Sequence, residues 1–467
     1  TLDESPFAGV TSLELRWKRP NLPTVIEHGS WPEGTVALSL TTPGLVDGSQ
    51  LEIAAIANDT VVAVGRTPPL LGDAGATSVY VGLINQFVAT PLPRALSSAR
   101  FGASATVLGD GRVLLAGGAT RGAPGVPDPA SITALVDLYD PTAGTFTVFT
   151  TPSDFSERIY HAAGPSAAGG VIIAGGLGKF GPLDDVYAID PTSSSAIGKL
   201  PTPRWAAASA PLAGGSLVVI GGYTTSDGMG GGTLATDALV VGPTGSVASV
   251  TLPSPRAFAV ATPLGGNGST FLVSGGVDAT GTALDSALLF DASAMSFSML
   301  APTGDGRAAM QTPRVGHTAT ALPSGDVFVY GGNDGHESVA NFELYSASAG
   351  GFIDTHVFNL VPRQRQSAVA LPDGTLVLAG GESSPQPLAT PSAVLDPLVY
   401  HPAATGDMGI LEDDLADSTA RAEASLTALI DGSLLYVGGG VSNPRTLAGG
   451  GELFVPCFAD CLAITSP

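Results

Sequence analysis

Cysteine is almost absent from this chain: there are two in 467 residues, Cys457 and Cys461, both in the closing stretch PCFADCLAITSP. A disulfide-built scaffold is thereby excluded, and no further ligand lies near the pair to make a metal site. Four positions apart on a turn, the two could close a small disulfide ring in an oxidising compartment; two free thiols in a reducing one is the other reading. Lysine is scarce as well, with only Lys18, Lys179 and Lys199, and acids outnumber Lys plus Arg by 41 to 19. The resulting formal charge of −22 argues against nucleic acid as a partner, because a phosphate backbone would be repelled. No run of 18 or more apolar residues occurs, so no membrane-spanning helix is expected. The chain begins at Thr1 without Met, which fits removal of an export signal and equally fits trimming; a lipid anchor upstream stays open.

Glycine and proline are abundant, at 62 and 37 residues. They fall at regular places between β-rich runs, where they punctuate turns. The regularity is a repeat. An Arg, a run of small residues and a strand ending in Gly-Gly recur seven times, at Arg100/Gly117, Arg158/Gly175, Arg204/Gly221, Arg256/Gly275, Arg314/Gly331, Arg363/Gly380 and Arg421/Gly438. The interval is 17 positions in six copies and 19 in the fourth, where Gly266 and Asn267 look inserted. A fixed interval implies a fixed geometry and an array architecture.

Each copy reads as four strands. In the second, 159–165 is an inner strand of small residues, 170–175 a buried one (GVIIAG), 185–190 an alternating one (DVYAID) and 196–200 a short outer one. Strands nearest a common axis are crowded, which suits the small residues of RFGASATV, RWAAASAP and RVGHTATA. Radial repetition of such units gives a β-propeller. The chain therefore reads as all-β, a seven-bladed propeller over residues 85–456. Asn85 to Pro93 (NQFVATPLP) is expected to complete the last blade beside 452–455, which removes an exposed edge. Residues 1–84 do not repeat; five or more alternating strands there suggest a small immunoglobulin-like β-sandwich, with an eighth, degenerate blade as the alternative. Residues 457–467 form a tail.

The Arg before the inner strand, His three residues on in RIYH (His161) and RVGH (His317), the double Gly, and the later aromatics Tyr139 and Phe146 together make the chain resemble kelch-repeat proteins, over about 86–456. It departs from that pattern in using Phe where Trp is usual; Trp205 instead follows an Arg. Propellers of this type include copper radical oxidases, which need a Tyr cross-linked to Cys, a second Tyr and two His. Tyr160-His161 and Tyr400-His401 echo their Tyr-His pair, but no Cys stands in the repeats, so copper chemistry and any other cofactor are not expected.

The strongest constellation is the ring of Arg100, Arg158, Arg204, Arg256, Arg314, Arg363 and Arg421. It either collects an anion near the centre or holds blades together through hydrogen bonds to a neighbour's carbonyls or Asp. The acidic run LEDDLAD (411–417) could take calcium or simply be a solvated loop, and DGMGGGT (227–233) lacks the Lys of a phosphate cradle. With no catalytic motif in view, the expectation is a non-catalytic binding protein, secreted, periplasmic or on the outer surface of a bacterial cell, that holds a protein or glycan on the loops after each double Gly. A structural subunit of a surface assembly and a carbohydrate-active enzyme with its site in the propeller centre are the alternatives.

Overall fold

The computed structural model describes residues 11–19, 22–30, 49–57, 60–66, 90–92, 95–123, 126–190, 193–265, 268–304, 306–353, 360–371, 374–384, 392–394, 397–401, 410–412, 421–429, 432–441, 446–447 and 450–454. Their regular structure is β, apart from one short 3-10 turn at Pro129–Ser131. No helix among them is long and apolar enough to cross a membrane.

Seven antiparallel sheets follow one another along the chain, one per copy of the motif. The second sheet runs Ala162–Pro165, Val171–Ala174, Asp185–Ile189 and Ser194–Lys199 in spatial order. Each sheet is graded. The second strands, such as VLLA, VIIA, VFVY and LVLA, are buried at every position, as expected of apolar runs covered on both faces. Outer strands such as Ser296–Met299 are largely exposed.

The core is divided into seven layers between consecutive sheets. Val171, Ile173 and Tyr187 meet Leu114 and Leu138 of the sheet before, and Ile172 and Val186 meet Leu217 and Val219 of the sheet after. The series returns to its start. Leu435 and Val437 of the seventh sheet pack against Val113 and Leu115 of the first, and strand Ala422–Ala428 contacts Ser104–Val107. Within the seventh sheet, Thr90–Pro91 pairs with Gly451–Phe454, with Glu452 opposite Pro91 and Leu453 opposite Thr90, and Leu92 N donates to Gly451 O at 2.8 Å. The chain's early segment thus covers the edge of its last sheet; Asn85 to Ala89 and Pro93 lie outside the described residues.

Toward the N-terminus the described strands Leu22–Ser30, Ser12–Arg19, Gln50–Ala57 and Thr60–Arg66 form a single antiparallel sheet in that order. Leu15, Trp17 and Leu51 are its buried face.

Candidate functional site

The seven arginines are structural pieces of the sheets they precede, with side chains 0 to 2% exposed. Arg158 shows the plan: Nη1 donates to Gly175 O at 3.0 Å, Nε to Ser156 O at 3.1 Å and Nη2 to Asp185 at 2.6 Å. The same carbonyl, that of the first Gly of the pair, accepts from Arg256, Arg314, Arg363 and Arg421. Carboxylates complete five of the seven: Asp137 for Arg100, Asp185, Asp237 for Arg204, Glu343 for Arg314 and Glu452 for Arg421. Desolvation pulls Arg158, Arg204 and Arg314 below the usual arginine range against the pull of these acids. Arg256 has only carbonyls and the Ser286 hydroxyl, 3.1 Å from Nη2, and burial pulls it down to about 10.

Of the guanidinium groups only that of Arg363 reaches a neighbouring sheet among the described residues, lying 5.9 Å from the Tyr330 ring centroid; the regular link between sheets is made instead by the arginine backbone. The second Gly of each pair donates to the Arg carbonyl of the next copy: Gly118 to Arg158, Gly176 to Arg204, Gly222 to Arg256, Gly276 to Arg314, Gly332 to Arg363, Gly381 to Arg421 and, from last to first, Gly439 to Arg100.

Two residues past each Arg stand Gly102, Tyr160, Ala206, Phe258, Gly316, Arg365 and Glu423, and all seven have a left-handed backbone, φ from 52 to 68°. They are linked to one another: Ala206 N donates to Tyr160 O, Phe258 N to Ala206 O, Arg365 N to Gly316 O, Glu423 N to Arg365 O and Gly102 N to Glu423 O. For Tyr160, Phe258, Arg365 and Glu423 this conformation costs on the order of 1 kcal/mol or more each. It directs their side chains together. Tyr160 Oη donates to Glu423 Oε1 at 3.0 Å, Arg365 Nε lies 3.6 Å from the same oxygen, and Arg365 Nη1 donates to Glu382 Oε1 at 2.5 Å. Across from this charged half is an aromatic half: Trp205 lies 6.2 Å from Tyr160, 5.1 Å from Tyr223 and 5.8 Å from Phe258, centroid to centroid. Its indole N–H donates to Thr225 O at 2.9 Å, and burial raises the Tyr223 hydroxyl. Sequence reasoning missed this cluster. Its signal was there, since aligning the seven copies on Arg exposes one column in which small residues give way to Tyr, Phe, Arg and Glu.

The remaining candidates lie apart from it. His161 Nε2 is 2.7 Å from Ser104 Oγ and His317 Nε2 3.0 Å from Ser274 Oγ. Desolvation, with the nearby Arg158 and Arg314 charges, lowers both imidazoles to about 3. Tyr400 is buried with Phe328 and Phe342 between the fifth and sixth sheets, so Tyr160 and Tyr400 are not brought together. Asp227 caps its own loop, accepting from Met229 N and Gly231 N. Cys457, Cys461 and Asp413 to Asp417 lie outside the described residues.

No family model matches the chain, and no curated protein does. Among solved structures it is similar to a fungal alcohol oxidase of the AA5 family determined in complex with copper. That likeness has 16% identity, covers 80% of this chain and 78% of the other, and has a TM-score of 0.57. At this identity the likeness is one of fold.

Two expectations are corrected here. Assignment to the kelch-repeat proteins with an immunoglobulin-like sandwich is overturned, since the fold match is to an oxidase. The physical reason is that the Arg and Gly-Gly frame meets the hydrogen-bonding needs of the sheets and so marks architecture, not lineage. The expectation of a non-catalytic binding protein, with its kelch-repeat and protein-binding labels, is overturned by the same match, which is to an oxidase, and the absence of sequence motifs was a poor guide because the clustered residues are spread over 263 positions.

A copper centre does not fit the residues described. No group of three or more His, Cys, Asp or Glu that could hold a metal is found among them. The two histidines flanking the arginines are tied to serines in separate repeats, and the Arg365 guanidinium sits against the Glu423 and Glu382 carboxylates where a cation would have to bind.

Proposed function

We propose that the seven sheets are the blades of a seven-bladed β-propeller, preceded by a separate β domain over residues 1–84, and that the protein is a carbohydrate-active enzyme with its site at the propeller axis. The observation that carries the reading is the convergence of Tyr160, Glu423 and Arg365, all on strained backbone, with Glu382 beside an aromatic wall. Strain of this kind gathers at functional sites, and paired carboxylates next to aromatic faces suit acid–base work on a sugar. Arg365 and Tyr160 position the Glu423 carboxylate, which is assigned the part of general base. The fold likeness to an enzyme that acts on alcohols supports a hydroxylated substrate. The seven ring arginines are assigned a structural role. An oxidising, extracytoplasmic location goes with a bond between Cys457 and Cys461; two thiols alkylated without reductant would contradict it.

The test is turnover on a panel of polysaccharides and oligosaccharides, read by reducing ends, ultraviolet absorbance and peroxide, with and without added copper. Cleavage that copper does not alter is expected. Peroxide production that requires copper would overturn the metal-free site, and no turnover on any sugar would overturn the substrate class.

A further inference from the structure

Beside the axial cluster, on the Trp205 side, a cavity of about 210 Å³ opens between the loops of the first three repeats. Its walls include Pro127 and Pro129 from the first repeat, Lys179 and Phe180 from the second, and Trp205 and Ser226 from the third. The hairpin Leu177–Gly178 to Gly181–Pro182 holds Lys179 and Phe180 at its tip. Phe180 is 93% exposed. Leaving a Phe ring in water forgoes about 1.5–3 kcal/mol of burial, so an exposed ring at the lip of a pocket is a binding surface in waiting.

The charge at the same lip narrows the ligand. Lys179 Nζ sits 5.3 Å from the Phe180 centroid, and no carboxylate pairs with it among the described residues. Lys199, by contrast, is held by Asp184 at 2.9 Å. In a chain of net charge −22, an unpaired cation beside an aromatic face marks the one end of this pocket that favours an anion, and a stacking surface with a cation at its edge matches a sugar ring bearing a carboxylate.

We infer that this pocket is a subsite for an acidic sugar residue, a uronate whose ring lies on Phe180 and whose carboxylate meets Lys179. The inference rests on the reading of a carbohydrate-active site and names its substrate class. The experiment measures binding without turnover: calorimetric titration of Glu423→Gln protein with an oligogalacturonate and a neutral oligogalactoside of equal length. The acidic chain should bind at least tenfold more tightly; Lys179→Ala should reduce it to the neutral level, and Phe180→Ala should weaken both at least fivefold. Binding of neither chain, a preference that survives Lys179→Ala, or affinities untouched by Phe180→Ala would each overturn the subsite. Catalysis is not read here, so binding as expected in a protein with no activity on any sugar would leave the subsite standing while the enzymatic reading fails. Both side chains are exposed, and melting temperatures of the two variants should equal the parent's.

Discussion

At the scale of single residues, Arg256, one of the two ring arginines with no carboxylate among the described residues, shows what the others need. Two carboxylates, Asp185 and Asp237, occupy the position held here by Ser286, at the start of the third strand. A buried guanidinium without an acid is poorly compensated. Ser286→Asp is expected to stabilise the protein by about 1–2 kcal/mol, read as a higher midpoint in guanidinium chloride; an unchanged or lower midpoint would mean that carbonyls alone suffice. The histidines carry a second residue-scale consequence. Their imidazoles are held neutral in the fold, at about 3 against 6.5 for the free group, so the unfolded chain takes up protons first. Stability should be full above pH 6.5 and fall as pH drops toward 3, by up to about 1.4 kcal/mol per pH unit for each His. Gln366 stands at the equivalent position in the sixth repeat and donates to Tyr330 O, so His161→Gln with His317→Gln should fold and flatten that acid limb; equal limbs in parent and variant would remove the histidines from the account.

At the scale of the element, the double glycine explains how much of the fold could be read in advance. Strand pattern, repeat count and the 17-residue interval were all legible, because each follows from local chemistry repeated seven times. The first Gly must be left-handed and must lack a side chain. A Cβ on Gly221, at φ 63°, would lie 2.3 Å from Arg256 O of the next repeat, and every other copy meets its neighbour's Arg carbonyl in the same way at 2.1 to 2.8 Å. Gly221→Ala should therefore cost about 3 kcal/mol or more, whereas Gly144→Ala, with open space around its Cβ despite φ 62°, should cost about 1 kcal/mol. Chemical denaturation compares the two, and equal losses would show that backbone strain, not the contact between repeats, is what the glycine relieves. The Tyr160–Glu423 cluster was not legible for the opposite reason: Tyr160, Glu382 with Arg365, and Glu423 belong to different repeats, and only the arrangement of whole sheets brings them within bonding distance.

At the scale of the whole molecule, the architecture separates support from chemistry. Arginines, glycines and the seven apolar layers bind each sheet to the next and the seventh to the first, while the residue two places past each Arg is left free to vary within one conformation. Removing a side chain of that cluster should then spare the fold and remove the proposed activity. The most direct measurement is the kcat of Glu423→Gln beside the parent on the best sugar substrate, with both melting temperatures recorded. The account predicts a fall in kcat of at least about 100-fold, the range of a lost general base, at a melting temperature within a few degrees of the parent. An unchanged kcat in a folded variant would contradict it.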